Sequence, residues 1–349
     1  MAHLPKAVLY YSPVSVWSAV VLLTIDEKGY GPDEIDFRSV DLSKGENYDL
    51  TFLRLNPKAT VPALLVPYEN TLTDAEESRY KALTSTKAIV EFLDKSRSAL
   101  SRTQTTSRAP APSLTPATIA ATNSCKVIID DILHIEEANP NTLRYVNARD
   151  DESLRALAKE LVPSMKQRQK VLLEHLAEAE QGSARVSEKV KKLWADKLDA
   201  INVILAVLAD AETAESDLGE EGRAQRQAFY KTARQAWETN LSQVMTQLSK
   251  EMVGPYTLGD QFSIADLHLA GWLTRVAKLA GGQSSDDGET IARKLEGHIG
   301  GGFRFARDFI TEQARREKAA VEKGSKVGAF WDALRERASW KKVYREGLF

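Results

Sequence analysis

The first ninety or so residues switch repeatedly between strand-like and helix-like runs, and the chain beyond about Ala117 keeps only the helical period. "AVLYYS" (Ala7–Ser12) is rich in aromatic and β-branched residues and reads as a strand. "SVWSAVVLLTIDEKG" follows as a helix with Gly29 as its stop. "IDFRSVDL" (Ile35–Leu42) alternates as a second strand, and "YDLTFLRLNP" is a short helix that must end near Pro57. "VPALLVPY" (Val61–Tyr68) and "SRYKALT" (Ser78–Thr84) supply two more strands. "STKAIVEFLDKS" (Ser85–Ser96) is an amphipathic helix with Ala88, Ile89, Phe92 and Leu93 on one face. The order βαβ, α, ββα implies a mixed sheet covered by helices on both faces, an α/β domain over residues 1–96.

Residues 97–116, "RSALSRTQTTSRAPAPSLTP", show no apolar face and read as a linker. From 117 to 349 the expectation is an all-α domain. Within it, Asp151–Glu180, Ser187–Ala211 and Glu220–Met252 are long charged-apolar helices rich in strong helix formers, an insertion-like block over about 140–252. A further helix is expected near Ile291–Gln313. With 47 basic and 49 acidic residues there is no electrostatic case for nucleic acid as a partner. One cysteine, Cys125, gives no internal disulfide framework. No apolar run is long enough for a membrane helix and no secretory signal opens the chain, so a cytoplasmic protein is expected.

Three motifs could carry chemistry. In "NPKATVPALL", Pro62 does not suit a central strand: either an edge strand begins there, or Val61–Pro62 is cis and leaves the Val61 main chain free for a partner. Ser85 and Thr86 open the "STKAIVEFLD" helix, where hydroxyls ordinarily cap free N–H groups, and where an anion could bind instead. Ser263 and Asp266 form an S-x-x-D capping box ahead of an apolar helix, a structural role. The five histidines show no ligand spacing, so no metal site is expected, and His268 on the apolar helix is read as a core residue.

Taken in order, "YYSPVS", "NPKATVPAL", the hydroxyl pair before "KAIVEFLD" and "LGDQFSIADLHLA" resemble the cytosolic glutathione transferase family. The resemblance implies a thioredoxin-like N-terminal domain, an all-α C-terminal domain, glutathione as co-substrate and a homodimer. It implies a cis Val61–Pro62, with the Val61 main chain pairing to the cysteinyl part of glutathione. It puts Thr86 on the γ-glutamyl carboxylate and Lys58 near the glycine carboxylate. Ser85 stands where the family carries an acidic residue, for which Asp74, Glu76 or Glu77 are the substitutes within reach of the sequence. Ser15, two residues after Pro13, matches the serine of Ser-type members, fungal-like ones included, and Tyr11 matches the tyrosine of Tyr-type members. Ser15 is the preferred thiolate donor and Tyr11 the alternative.

That task is modest. A thiol with a pKa of about 8.5 needs ~2.7 kcal/mol to drop two units. A hydroxyl hydrogen bond of ~1.5–3 kcal/mol and a helix N-terminus worth ~0.3–1 kcal/mol supply it. Val14, Val16 and Trp17, with the helix near Ala121–His134, would wall a groove for an apolar electrophile, with Trp331 and Trp340 closing one side. The long insertion resembles that of the ganglioside-induced differentiation-associated branch. It keeps open a non-catalytic binding or assembly role exerted through the insertion.

Overall fold

The computed structural model describes residues 6–67, 80–98, 106–182, 186–310 and 323–349. Strand β1 (Ala7–Tyr11) runs into α1 (Val16–Glu27), β2 (Ile35–Ser39), α2 (Leu50–Leu55), β3 (Ala63–Pro67), β4 (Tyr80–Leu83) and α3 (Thr86–Ser96). The sheet order is β2-β1-β3-β4, with β1 parallel to β2 and antiparallel to β3, and β4 antiparallel to β3. Alternation along β1 sends Leu9 towards α1 and α3, where it joins Val20, Leu23, Ile89 and Leu93. Tyr10 points to the other face, against Val40, Phe52 and Val61 beside α2. This is the expected thioredoxin-like α/β domain.

The helical domain begins with α4 (Ile119–Lys126), which continues as a π-helical turn over Val127–Leu133, and α5 (Pro140–Tyr145). Helices α6 (Asp151–Glu180) and α7 (Glu188–Leu208) form an antiparallel hairpin, and α8 (Glu220–Arg234) runs through a second π-helical turn, Gln235–Leu241, into α9 (Ser242–Glu251). Then come α10 (Ile264–Leu279), α11 (Gly288–Ile299), α12 (Lys326–Arg335) and α13 (Ala338–Val343). The helix expected over Ile291–Gln313 stops at Ile299, because Gly300, Gly301 and Gly302 all take positive φ.

The insertion is also narrower than about 140–252. Leu143, Trp237, Leu241, Met245 and Leu248 belong to the main core around α10. A separate apolar core runs from Ala148 to Ala211, flanked by Phe229 and Tyr230. This second core is closed by the α/β domain itself: Tyr48, Leu53 and Ala59 pack with Leu161, Met165 and Trp194. The Trp194 indole N–H donates to the Tyr48 carbonyl at 3.0 Å. The hairpin therefore lies down on the α2 side of the first domain rather than extending as a free coiled coil.

The linker is tied by a buried ion pair. Lys28, fully buried, meets Asp94 at 2.8 Å and donates to the Pro112 carbonyl at 2.6 Å. Asp94 also accepts the Leu114 and Thr115 N–H groups.

The two domains meet where α1 crosses α10. A Cβ on Gly271 would stand 2.6 Å from Val20 Cγ2 and 3.1 Å from the Val16 carbonyl oxygen. On an exposed helix Gly→Ala stabilises by ~0.5–1 kcal/mol. Here overpacking prevails, and Gly271→Ala is expected to destabilise by ~1–3 kcal/mol in urea denaturation. An unchanged or raised midpoint would show that the crossing tolerates a methyl group.

Candidate functional site

The turn after β1 is braced by its own serines. The Ser15 N–H donates to the Ser12 carbonyl at 3.1 Å, and the Ser12 N–H donates to Ser18 Oγ at 3.2 Å. Ser15 is the N-cap of α1, with φ −93° and ψ 123°, and its Oγ accepts the Ser18 N–H at 3.3 Å. That bond uses an oxygen lone pair and leaves the Ser15 hydroxyl proton to donate outward, at the positive end of α1. Tyr11, the other candidate, ends β1 partly buried, its ring edge-on to Phe37 at 6.0 Å.

Val61–Pro62 is cis. Pro62 precedes β3, which lies between β1 and β4, so the edge-strand alternative is set aside. The loop before it is built by Asn56, whose side-chain amide donates to the Thr60 carbonyl at 2.6 Å while its Oδ1 accepts the Lys58 N–H at 3.1 Å. Ala59 takes φ 56°, and Lys58 is exposed on this loop.

At the start of α3, Ser85 occupies the N-cap position, but its side chain makes no capping bond. The capping expectation fails here, and no side chain among the described residues caps the first turn of α3. Thr86 is buried at the first helical position, and the next residue, Lys87, pairs with Asp130 of the π-helical turn across the domain boundary. Asp74, Glu76 and Glu77 lie outside the described residues.

Three expectations about the groove change. Val14 is 55% exposed, but Val16 is only 3% exposed, with its carbonyl against Gly271 of α10, so it is no accessible wall. Trp331 and Trp340 are core residues: their indole N–H groups donate to the Asp286 carbonyl and to Thr274 Oγ1. Trp17 does stand beside the second helix named for the groove, its ring stacked on His134 at 4.2 Å between centroids.

Sequence reading missed what lies behind that stack. His134 Nε2 and His268 Nδ1 are 3.0 Å apart, so one ring donates to the other. Burial holds both imidazoles below the ordinary histidine range; His134 and Lys87 add to the effect on His268, and Lys87 to that on His134. Arg275 of α10 was missed as well: its Nη2 donates to the Val14 carbonyl at 2.6 Å and its Nε to the Phe349 carbonyl at 2.8 Å. No local spacing announces either arrangement, because the partners lie far apart in sequence.

The capping box behaves as expected. The Asp266 carboxylate accepts the Ser263 N–H and the Thr257 N–H, both at 2.7 Å. Burial pushes its pKa up to about 6, with these donors acting against it.

A thioredoxin-like domain with a serine-headed α1, a cis proline before β3, an uncapped α3 and an appended helical domain defines the class. Family profiles agree: "Glutathione S-transferase, N-terminal domain" matches residues 9–100 and "Glutathione S-transferase, C-terminal domain" matches residues 142–293. Together they span more than half of the chain, which belongs to the glutathione S-transferase family. Among solved structures, it is similar to glutathione transferase Omega 3C from Trametes versicolor, at 18% identity and TM-score 0.45, covering 98% of this chain and 86% of that one. Gtt2 from Saccharomyces cerevisiae is similar at 15% identity and TM-score 0.44, covering 96% and 99%. A Sulfitobacter glutathione transferase homologue with bound glutathione gives 16% identity and TM-score 0.39, covering 99% of each chain. No curated protein matches the sequence. Among the described residues no helix is long and apolar enough to cross a membrane.

The neutral histidines carry a pH signature. A histidine whose pKa is depressed on folding contributes stability above its unfolded value of about 6.5, and that contribution is lost as pH falls towards the folded value. His134 and His298, both lowered to about 4, set a window from about pH 6.5 down to about 4. Urea unfolding should lose about 1.4 kcal/mol per pH unit for each such group. His134→Phe, which preserves the stack on Trp17, should flatten the slope by about one proton. An unaltered slope would mean that His134 is charged in the folded protein.

Proposed function

We propose that this protein is a Ser-type glutathione transferase that conjugates glutathione to electrophiles or uses it to reduce organic peroxides. The observation that carries the reading is the Ser15 hydroxyl. It heads α1 with its oxygen engaged and its proton free, on the turn that leaves β1, and β1 pairs with β3 at Tyr10 and Ala63, one residue beyond the cis Val61–Pro62 bond.

Bound there, glutathione would place its cysteinyl main chain against Val61. Its γ-glutamyl carboxylate would meet Thr86 and the α3 N–H groups, and its glycine carboxylate would lie towards Lys58. Ser85 lends the site a hydroxyl but no charge. The chain's own part in the chemistry is electrostatic: Ser15 donates to the sulfur, the α1 N-terminus favours its negative charge, and the thiol proton leaves to solvent. In conjugation the thiolate sulfur forms a bond to the electrophilic carbon while the leaving group departs with its electron pair. Val14 and the Trp17–His134 stack offer an apolar surface beside that sulfur. A cytoplasmic location and a homodimer accompany this reading as expectations from the family.

The second reading, a non-catalytic binding or assembly protein acting through its insertion, draws on Ser85 in the acidic position. It would place the function in the α6–α7 hairpin.

The deciding measurement is thiolate absorbance of bound glutathione across pH, in wild type, Ser15→Ala and Tyr11→Phe. Ser15→Ala should return the depressed thiol pKa by one to two units and lower kcat/KM about ten- to a hundredfold. A depressed pKa that survives Ser15→Ala and is lost in Tyr11→Phe transfers the role to Tyr11. Failure of wild type to bind glutathione would remove the enzymatic reading and favour the second.

A further inference from the structure

Helix α10 presents one stripe to the start of α1. Gly271 lies against the Val16 carbonyl and Val20, and Arg275, one turn further on, reaches the Val14 carbonyl. Residues 271 and 275 share a helix face, so the stripe that packs on α1 also carries a cation to the Ser15 turn.

Arg275 is 5% exposed and makes a two-pronged bridge. Its Nη2 donates to the Val14 carbonyl at 2.6 Å and its Nε to the Phe349 carbonyl at 2.8 Å. Two prongs hold the planar guanidinium in one orientation. The other bonds of the turn are local. The Ser15 N–H donates to the Ser12 carbonyl, the Ser12 N–H to Ser18 Oγ and the Ser18 N–H to Ser15 Oγ. Among the described residues, the Arg275 bond is the only hydrogen bond that ties residues 12–15 to anything beyond α1.

The bonded oxygen belongs to the peptide that joins Val14 to Ser15. Pinning it fixes that peptide plane and, with the Ser15 backbone at φ −93° and ψ 123°, the direction of the Ser15 side chain. The three local bonds would survive if the turn tipped as a unit, and the Arg275 bond opposes that tipping. Burial, with Arg144 adding to it, lowers the guanidinium pKa to about 10, so Arg275 is charged at neutral pH. A positive charge is thus held one peptide unit from Ser15, at the end of α1 that already favours an anion.

We propose that Arg275 is a positioning residue for the thiolate chemistry: through the Val14 carbonyl it fixes the aim of the Ser15 hydroxyl and places its charge behind the turn. The proposal rests on the Ser-type reading above for the chemistry, and on the guanidinium bridge for the positioning.

The test compares Arg275→Met with Arg337→Met. The latter removes a partner of Glu27 at the far end of the twelve-residue α1, about 18 Å away at 1.5 Å per residue. Amide hydrogen exchange needs no ligand and is read against the Leu269 amide inside α10. Arg275→Met should speed exchange of the Ser15 and Ser18 amides about tenfold or more, and Arg337→Met should leave both unchanged. With glutathione bound, Arg275→Met should raise the thiol pKa by about half a unit or more. It should also lower kcat about tenfold, with the KM for glutathione changed less than about twofold. Arg337→Met should do neither, and Arg275→Lys should recover part of both losses. Unchanged exchange at Ser15 and Ser18 in Arg275→Met overturns the positioning. Faster exchange with an unmoved thiol pKa and kcat overturns its bearing on the chemistry. Equal effects of the two methionine variants overturn the proposal as well, because they would reflect loss of domain packing. If wild type binds no glutathione, the function proposed above falls, and exchange alone decides whether Arg275 positions the turn. If Arg275→Met does not fold, Arg275→Gln, with one amide donor and no charge, takes its place with the same expected directions.

Discussion

Helix α1 is enclosed on all sides, and the rest of the molecule is arranged around that enclosure. One flank rests on the sheet and α3, and the other meets α10 at Gly271, where Val16 and Val20 come closer than any side chain at residue 271 would permit. A helix held this way has one rotational setting about its axis, so the direction of its N-terminus is fixed by packing in both domains. Ser15 inherits that direction. The placing of the Ser15 hydroxyl is set by van der Waals contacts at Val16 and Val20, the third and seventh residues of "VSVWSAVVLL", and by a glycine more than 250 residues away in sequence, rather than by the turn alone.

The other end of α1 is fastened by charge. Glu27 accepts from Arg337 and Ser339, Asp26 from Lys342, and Lys28 closes on Asp94. Buried ion pairs add little net stability after desolvation, but removing one partner is costly because the other is left uncompensated. Their effect here is specificity of arrangement. Asp94 accepts from Lys28, from two linker N–H groups and from Thr115, so the linker leaves the first domain along one path. The helical domain is then delivered to the face of α1 that Gly271 can occupy.

What the sequence disclosed followed the range of the interaction. Periodicity located the strands and α6 over Asp151–Glu180, because alternation and helical spacing are local properties. The S-x-x-D box at Ser263 and Asp266 and the serine at the head of α1 were legible for the same reason. The Gly300–Gly302 stop was there to be read, since three consecutive glycines seldom continue a helix. Partners that only tertiary packing creates were not legible: His134 with His268, Arg168 with Tyr48, Arg275 with Val14. Val16, Trp331 and Trp340 show the converse, since apolar residues near a cleft and apolar residues in a core look alike until burial separates them.

The two π-helical turns show how the helical domain reconciles these demands. A π turn adds a residue to a helical cycle and re-aims the side chains that follow. In Val127–Leu133 it keeps Ile128, Ile129, Ile132 and Leu133 in the core while Asp130 reaches Lys87 at the start of α3. The His134 N–H then donates to the Ile129 carbonyl at 3.1 Å, and its ring lies flat on Trp17. A regular α-helix through the same residues would carry Asp130 and His134 about 400° apart around its axis, close to one face, at 100° per residue. Four residues apart, Asp130 and His134 both project towards the first domain, so one segment serves two contacts there: an ion pair at the helix where the γ-glutamyl carboxylate is proposed to bind, and a stacked ring beside the proposed sulfur. The second π turn, Gln235–Leu241, does comparable service away from the cleft. It buries Trp237 against the His298 ring edge while Glu238 meets Arg149, which caps the end of α11 through the Ile299 carbonyl. In both places a local departure from α-helical geometry lets an apolar face and a polar contact be satisfied by the same stretch of chain.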